Sequence, residues 1–416
     1  MNSQHYIKRR DTLLDRLPDN SVVVLFSGIA HKASADSEYP FQVNTNFLYL
    51  TGIKQENSAL VVAKIDQERF TYLFVDPFDE LKEKWTGRKL KPDQATKISG
   101  INNVLFSDHL TSKLDDLLRD GSTYGEVEHV FLDLEKELYI AKKVTTEEYK
   151  QELDQKYGIE VENIFNEIIK MRMVKDEDEI KALKASINLT NKALNILMKS
   201  IKDGMYEYQI ANLFEYVIKD QKAGLSFPTI AASGPNATIL HYVDLQNKMQ
   251  DGQLLLLDLG ANLTDYRADI SRTYPVAGVF NPLQRQIYEI VLAANKAVID
   301  FIRPGLTIAE LQAFTIELMA AKLLEADLIK SKDEISKYYY HNVSHHLGLD
   351  THDQSLRELK LEPGHVITVE PGLYFANLGI GIRIEDDVVV TAEGCINLSN
   401  DIIKEVKDIE KFMKRK

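Results

Sequence analysis

The chain has 416 residues, 44% of them hydrophobic, which is enough for two domains that each bury a core. Its 63 Asp and Glu against 50 Lys and Arg give a formal net charge of -13, which repels nucleic acid and anionic lipid. We therefore expect neither nucleic acid nor a membrane as a partner. Cys395 is the single cysteine, the first residues lack the apolar core of a signal peptide, and no apolar run approaches the roughly 20 residues that cross a bilayer. These features predict a cytoplasmic protein.

The first third of the chain alternates short apolar runs with amphipathic stretches. The apolar runs are SVVVLF, ALVVAKI, FTYLFV and HVFLDL, and residues 111–118 form an amphipathic stretch. This alternation predicts an α/β domain with mostly buried strands. We place its end near Glu167, which gives an N-terminal domain of residues 1–166 and a C-terminal domain of residues 167–416.

The second domain presents helices and strands in blocks. Apolar residues at helical spacing predict a helix at 177–199 and a helical pair between 283 and 324. Thr307, with Glu310 three residues later, resembles a capping box inside that pair. Apolar runs predict strands at 253–259 and 273–277, followed by two closing strands. Because the strands and helices do not alternate strictly, we expect an α+β domain.

Two aspartates interrupt this apolar pattern. Asp258 follows four leucines in LLLLDLG, and Asp269 lies eleven positions later in YRADISRTY. A hairpin could fold the second segment back so that both carboxylates face one point, where they could bind a cation. The alternative is that both are solvated turn residues.

Histidines cluster in the segment HNVSHHLGLDTHD. It holds His341, His345, His346 and His352 within twelve residues, although the chain has only ten histidines. Neutral imidazole is a good ligand for borderline divalent ions, and a histidine outside the ligand set can donate a proton to an oxyanion. For any one of them, the alternative is an ordinary core or surface histidine.

Two apolar strand patterns near the C-terminus also carry acids. VITVEPGLYF contains Glu370, and GIGIRIEDDVVV contains Arg383 and Glu385. Residues two apart in a strand share a face, so Arg383 and Glu385 are predicted to point the same way and could form an ion pair. Two further acids follow Glu385 directly, which predicts additional positive charge nearby.

Together these residues offer the donors of a two-metal site. Four carboxylates and one imidazole balance the charge of two divalent ions and suit Mn, Fe, Co or Zn better than a soft ion. Two ions roughly 3.5 to 4 Å apart can share a bridging water, lower its pKa and polarise a carbonyl. The sequence contains no G-x-S-x-G motif, and Cys395 lies in an ordinary turn-like stretch. We therefore predict amide hydrolysis without a covalent intermediate.

The motifs resemble those of the pita-bread metallopeptidases and, among them, the aminopeptidase P family. LLLLDLG, YRADISRTYPV, HNVSHHLGLDTHD, VITVEPGLY and GIRIEDDVVV look like that family's five ligand-bearing segments in order. The resemblance implies a catalytic domain with a curved antiparallel sheet and covering helices, preceded by a smaller α/β domain. It also implies an Xaa-Pro aminopeptidase that binds two divalent ions. Manganese is the expected metal, and cobalt, zinc and iron are the alternatives. The implied metal ligands are Asp258, Asp269, His345, Glu370 and Glu385.

The resemblance further implies roles for residues outside the ligand set. His241, in SGPNATILHY, would lie near the substrate carbonyl and help hold the tetrahedral intermediate, with His352 beside it. Arg383 would orient the metal-binding carboxylates, and His341 would line the substrate pocket. Glu370 would also carry a proton from the attacking water toward the leaving nitrogen.

The N-terminal half carries a resemblance of its own. SADSEYPFQVNTNFLYLTG looks like the signature of the aminopeptidase P accessory domain. In that family the domain contributes to substrate enclosure, sometimes from a neighbouring subunit, which implies a dimer or tetramer and a substrate contact for Trp85. For Trp85, the alternative is an ordinary core aromatic.

Several rival functions share parts of this pattern. An Xaa-Pro dipeptidase would use the same metals on dipeptides only, and a silent relative would bind peptides without cleaving them. A methionine aminopeptidase is disfavoured by the long N-terminal domain, and a metal-free, creatinase-like hydrolase by the five competent ligand positions.

Overall fold

A computed structural model describes residues 1–135, 139–140, 144–356 and 358–414. The chain divides into two compact units, Met1–Met171 and Arg172–Lys416. The predicted domain boundary, between residues 166 and 167, falls inside a helix that spans Phe165–Met173. Within the described part of the chain, no helix is both long and apolar enough to cross a membrane.

The N-terminal unit is an α/β domain, as its alternating pattern predicts. Its helices are α1 (Ser3–Arg16), α2 (Thr45–Thr51), α3 (Glu80–Thr86), α4 (Pro92–Ser99), α5 (Leu110–Leu118) and α6 (Thr146–Tyr157), and α7 (Phe165–Met173) begins in this unit. Its strands are β1 (Ser21–Phe26), β2 (Ala59–Ile65), β3 (Glu68–Val75), β4 (Asn103–Phe106), β5 (His129–Leu132) and β6 (Val161–Asn163). They form one mixed sheet in the order β4-β3-β2-β1-β5-β6. The central strand β1 is buried along its whole length, which explains its continuous apolar run.

The C-terminal unit is an α+β domain with antiparallel pairings. Its helices are α8 (Glu177–Ser200), α9 (Glu207–Asp220), α10 (Pro282–Phe301), α11 (Ile308–Glu325) and α12 (Val406–Met413). Its strands are β7 (Gly224–Leu225), β8 (Ile230–Ser233), β9 (Leu254–Leu259), β10 (Ala261–Asn262), β11 (Ile270–Pro275), β12 (Val366–Val369), β13 (Gly372–Phe375), β14 (Ile380–Arg383), β15 (Asp386–Val390) and β16 (Cys395–Asn397). The pairings are β11-β9-β8, β12-β15-β16, β13-β14 and β10-β7, all antiparallel.

Several predicted elements are confirmed to within about three residues. The helix predicted at 177–199 is α8, which ends one residue later than predicted. Asp176 and Glu179 form a capping box that fixes its start. The predicted capping box of Thr307 and Glu310 opens α11. Strand β11 begins three residues earlier than predicted, since Arg272 is fully buried and belongs to the strand.

Each of the two closing strands is in fact a pair of short strands. The first breaks at Glu370 and Pro371, between β12 and β13, and the second breaks at Ile384 and Glu385, between β14 and β15. Proline has no backbone N–H for a sheet ladder, which explains the first break. Both breaks therefore fall at acidic residues of the predicted metal site.

Gly260 allows the two arms of the β9–β11 hairpin to approach each other closely. A Cβ atom built at this position would lie 1.8 Å from the carbonyl oxygen of Ala268. This contact involves backbone, which cannot move aside as the end of a flexible side chain can. Only glycine permits this close approach. The contact is with Ala268, which immediately precedes Asp269.

A buried ion cluster holds the segment that carries the predicted histidines. The carboxylate of Asp353 accepts from Arg172 Nη2 at 2.5 Å and from Lys175 Nζ at 3.0 Å, and all three side chains are buried. Burial alone would raise the pKa of Asp353, but the charges of Arg172 and Lys175 outweigh it and lower this pKa to about 2. The charged form of Asp353 is therefore the one that stabilises the fold.

We predict that Asp353→Asn lowers the free energy of unfolding by about 3 to 5 kcal/mol at pH 7, because two buried cations lose their partner. The folded-state pKa lies below the unfolded value of about 3.9, so this contribution is complete above that value and is lost as the pH falls toward 2. Urea denaturation followed by circular dichroism measures the loss. Asp251→Asn, at an exposed turn, is the matched control and should change stability by less than about 0.5 kcal/mol. Equal effects of the two variants would contradict the structural role of Asp353.

Candidate metal centre

One cavity in the C-terminal unit brings the predicted catalytic residues together. Its volume is about 830 Å³. The predicted residues that line it are His241, Asp258, Asp269, His341, His345, His352, Glu370, Arg383 and Glu385. Every predicted site residue except Trp85 is in this set. Residues separated by up to 144 positions in the chain therefore face the same space.

The hairpin of β9 and β11 aligns the two aspartates, as predicted. Asp258 lies opposite Ser271 in the antiparallel register, and Asp269 precedes Ser271 by two residues. Alternate residues share a face, so both carboxylates lie on the same side of the hairpin. Both aspartates are buried, which shows that the alternative of two solvated turn residues is wrong.

His345 presents the nitrogen that a metal ligand needs. Its Nδ1 lies 2.9 Å from the carbonyl oxygen of His346. A carbonyl can only accept, so the neutral ring carries its hydrogen on Nδ1 and leaves a lone pair on Nε2. That Nε2 lies 3.4 Å from Asp269 Oδ2 and 3.5 Å from Glu370 Oε1. Three acceptors therefore face each other, an arrangement that a cation between them would stabilise.

The acids of the cavity repel one another strongly. Burial, and then the charges of neighbouring carboxylates, raise the pKa values of Asp269 and Glu385 well above their ordinary range. Burial also raises the pKa of Glu370. Asp258 Oδ1 is buried without a hydrogen-bond partner. A concentrated set of hard oxygen donors with one imidazole fits divalent cations, and Asp269, His345 and Glu385 each offer an atom within 4.8 Å of the others.

Arg383 connects these acids, but not by the predicted pair with Glu385. Its Nη2 donates to Asp258 Oδ2 at 2.7 Å, and its Nε donates to Ser271 Oγ at 2.7 Å. The Ser271 hydroxyl in turn donates to Glu385 Oε2 at 2.9 Å. The predicted ion pair is therefore wrong in its partner, because β14 packs against β9 in the folded domain and brings Arg383 to Asp258. A single guanidinium cannot neutralise four carboxylates.

The predicted positive charge beside the acidic run at 385–387 comes from two side chains. Arg272 Nη2 donates to Asp386 Oδ1 at 2.7 Å, and Lys404 also pairs with Asp386. Together they lower the pKa of Asp386 to about 2, against the opposing effect of burial. Asp387 differs, since its Oδ2 accepts from the N–H of Asp269 at 3.2 Å and its Oδ1 has no partner. These two cations therefore pair with Asp386, which does not line the cavity, and not with the acids that do.

The histidines separate into cavity and core positions. Burial and the nearby charge of Arg383 lower the pKa of His341 to about 4, and burial lowers the pKa of His352. The ring of His352 lies 4.4 Å from that of His345, centroid to centroid. His346 instead packs against His365 in the interior, so the ordinary core interpretation holds for His346.

Tyr374 is a site residue that the sequence analysis missed. Its hydroxyl lies 2.8 Å from His341 Nε2 and accepts from Arg383 Nη1 at 2.9 Å. The Nδ1 of His341 faces the carbonyl oxygen of Asn342, so Nε2 is the acceptor and Tyr374 donates to it. The residue lies in the run VITVEPGLYF, four positions after Glu370. The signal in the sequence was a tyrosine inside an apolar strand pattern, because a buried hydroxyl needs a hydrogen-bond partner.

Trp85 is not a core aromatic, because 90% of its surface is exposed on α3. It lines a different cavity, of about 1730 Å³, in the N-terminal unit, together with Glu56, Asp76 and Lys89. Its predicted contact with substrate stays a prediction.

Comparison with known proteins identifies the family. Residues 181–392 match metallopeptidase family M24, and residues 6–124 match the aminopeptidase P N-terminal domain. The Xaa-Pro aminopeptidase of Escherichia coli (strain K12) is 33% identical over 438 residues, covering 99% of this chain and 98% of the relative. A structure described as an aminopeptidase P from Bacillus anthracis has a TM-score of 0.95 and 40% identity, with 99% and 98% of the two chains covered.

A zinc-substituted E. coli aminopeptidase P in complex with product gives a TM-score of 0.91 at 31% identity, with 99% and 98% covered. These similarities extend over both units of the chain, and the cavity described above lies inside the M24 match. The chain therefore belongs to metallopeptidase family M24, in the aminopeptidase P group that carries the additional N-terminal domain.

Proposed function

We propose that this protein is a metal-dependent aminopeptidase that releases the N-terminal residue from peptides with proline in the second position. The observation that carries the proposal is the convergence of Asp269, His345 and Glu385, whose ligand atoms lie within 4.8 Å of one another in a buried acidic cavity. The similarity to Xaa-Pro aminopeptidases over 99% of the chain supports the substrate class.

The proposed metal centre holds two divalent ions. The ligands would be Asp258, Asp269, His345, Glu370 and Glu385, with Asp269 and Glu385 shared by both ions. Four carboxylates carry the charge that two divalent ions balance, and the mixed oxygen and imidazole set suits manganese, cobalt, zinc or iron. We propose manganese as the native metal. The zinc-substituted relative supports a divalent ion in this site and leaves the choice among these metals to experiment.

The side chains around this centre would bind and orient the peptide. When bound, the two ions lower the pKa of a water molecule and polarise the scissile carbonyl. The carboxylate of Glu370 would accept a proton and pass it to the leaving proline nitrogen. His241 and His352 would donate hydrogen bonds to the oxyanion as it develops, and Arg383 would keep Asp258 in place. His341, fixed by Tyr374, would line the pocket.

A peptide bond to proline calls for a dedicated enzyme. Its nitrogen carries no hydrogen, so a protease that binds its substrate as a β-strand loses a donor there. The residues that line the cavity include the apolar Leu240 and Ile308 as well as the histidines. A rigid proline ring would lose little conformational entropy when it packs against apolar side chains there.

Two rival functions use the same fold. An Xaa-Pro dipeptidase would accept only dipeptides, and the match of residues 6–124 to the aminopeptidase P N-terminal domain favours the aminopeptidase. A silent peptide-binding relative would not need five competent ligands, and the unpartnered Asp258 Oδ1 argues for an active metal site. We further propose a homo-oligomer, a dimer or tetramer, in the cytoplasm, with Trp85 near the substrate.

One prediction of the proposed function concerns the substrate. With manganese, the purified protein should cleave tripeptides Xaa-Pro-Yaa at the first bond and should cleave them at least as well as dipeptides Xaa-Pro. Mass spectrometry of the products measures both reactions, and an Xaa-Ala-Yaa peptide is the control for proline preference. Cleavage of dipeptides alone would identify a dipeptidase, and no cleavage of either would favour the silent relative.

A second prediction concerns the shared ligands. Asp269→Ala or Glu385→Ala should lower the metal content below two ions per chain and reduce turnover by at least about 10³-fold, because the site loses a ligand to both ions. Inductively coupled plasma mass spectrometry and peptide cleavage provide the two measurements. Glu393→Ala, which removes an exposed acid, should change neither. A fully active Asp269→Ala protein would exclude the bridging role.

A third prediction concerns Arg383. Its three nitrogens donate to Asp258, Ser271 and Tyr374 in fixed directions, whereas one ammonium group cannot reach all three. Arg383→Lys should therefore lower kcat by about 10²-fold while the protein stays folded. Steady-state kinetics and a thermal melt separate the two effects. Wild-type kcat in this variant would show that charge alone suffices at this position.

A further inference from the structure

Glu207 is a buried acid outside the cavity. It is the first residue of α9, and its surface is 0% exposed. Its Oε1 accepts from the Ser233 N–H and the Ser233 hydroxyl, both at 2.7 Å, and from Asn236 Nδ2 at 3.2 Å. Its Oε2 accepts from the Tyr242 hydroxyl at 2.8 Å and the Asn247 N–H at 2.9 Å. Five donor groups therefore meet at one carboxylate.

All five donors come from a single segment of the chain, residues 233–247. The segment leaves the end of β8, forms a short 3-10 helix at Gly234–Thr238 and continues through His241. Among the residues that the structure describes, Glu207 forms no ion pair. Its charge is therefore stabilised by neutral donors with fixed directions, and these donors set the path of the segment.

Backbone contacts of α9 reinforce this arrangement. The N–H of Glu207 donates to the carbonyl oxygen of Asn247 at 3.0 Å, and the N–H of Tyr208 donates to that of Leu245 at 3.1 Å. Burial, and then the hydrogen bond to Glu207, raise the pKa of Tyr242, so its hydroxyl keeps the proton that it donates. Residues 245–247, at the end of the segment, and Tyr242, near its middle, are therefore both hydrogen-bonded to the start of α9.

His241 lies at the point of this segment that faces the substrate cavity. It is exposed to solvent and immediately precedes Tyr242, which is buried. The segment thus places one side chain against Glu207 and the neighbouring imidazole in the cavity. A displacement of about 1 Å of a reacting group can cost about 10²-fold in rate.

We propose that Glu207 is a positioning residue that acts through His241. Its carboxylate holds residues 233–247 so that the imidazole of His241 meets the developing oxyanion. This inference rests on the proposed function, because it requires His241 to act on the substrate. Glu207, a fully buried acid far in sequence from the proposed metal ligands, would thereby contribute to the catalytic rate.

Glu207→Gln tests the inference with little change in volume. The amide has one carbonyl oxygen, so whichever way it is turned its NH₂ faces the backbone N–H of either Ser233 or Asn247. We expect kcat to fall by about 10- to 100-fold, KM to stay within about twofold, and the metal content to equal that of the wild type. A change in KM or metal content with unchanged kcat would overturn the proposal.

A double-mutant cycle with His241→Ala separates positioning from general destabilisation. If Glu207 acts through His241, the Glu207→Gln substitution should lower kcat no further once His241→Ala is present. Multiplied losses would overturn the positioning role while leaving the proposed function intact. A fully active His241→Ala protein would overturn both the role of His241 and this inference.

A matched pair of tyrosine variants decides the question if Glu207→Gln does not fold. Tyr242 and Tyr266 are both buried, and each donates its hydroxyl to a buried glutamate, Glu207 at 2.8 Å and Glu179 at 2.6 Å. Each Tyr→Phe change should lower thermal stability to a similar extent. We expect kcat to fall about tenfold in Tyr242→Phe and to stay within about twofold in Tyr266→Phe. Equal kcat values in the two variants would overturn the proposal.

Discussion

The repulsion among the carboxylates of one cavity is the constraint on which the rest of this structure depends. Asp258, Asp269 and Glu385 are buried, Glu370 is partly buried beside them, and Arg383 supplies one positive charge. Burial and mutual repulsion raise the pKa values of Asp269 and Glu385, because charged carboxylates are unfavourable so close together in the interior. A metal ion bound among these acids would relieve this cost.

Other charged residues close to the cavity form ion pairs of their own. Arg272 and Lys404 neutralise Asp386 behind the second strand break, and Arg172 and Lys175 neutralise Asp353 beside the histidine segment. These clusters satisfy their own charges internally. In the described part of the chain, Arg383 is the one arginine or lysine that pairs with an acid of the proposed metal site, so the charge of the remaining acids there would be left for metal to compensate.

Local patterns in the sequence predicted the elements that depend on neighbouring residues. The helix at 177–200 and the start of α11 follow from 3.6-residue periodicity and capping chemistry, and both were predicted closely. The hairpin of β9 and β11 was also predicted, because two apolar runs with a short connection pair in only a few ways. The strand breaks at Glu370 and Glu385 were missed, since continuous apolar runs do not show where a ladder is interrupted.

The sequence by itself predicted the residues that line the cavity and the main helices and strands, because these depend on residue type and local spacing, and its motifs carried the resemblance to the family. The tertiary structure alone decided which charged side chains form ion pairs and which histidines are buried. Arg383 pairs with Asp258, 125 positions away, and not with Glu385. His346 lies in the core, while its neighbour His345 faces the cavity. The tertiary structure also joined Glu207 to the His241 segment. Partners this far apart are chosen by strand register and helix packing, which no local pattern encodes.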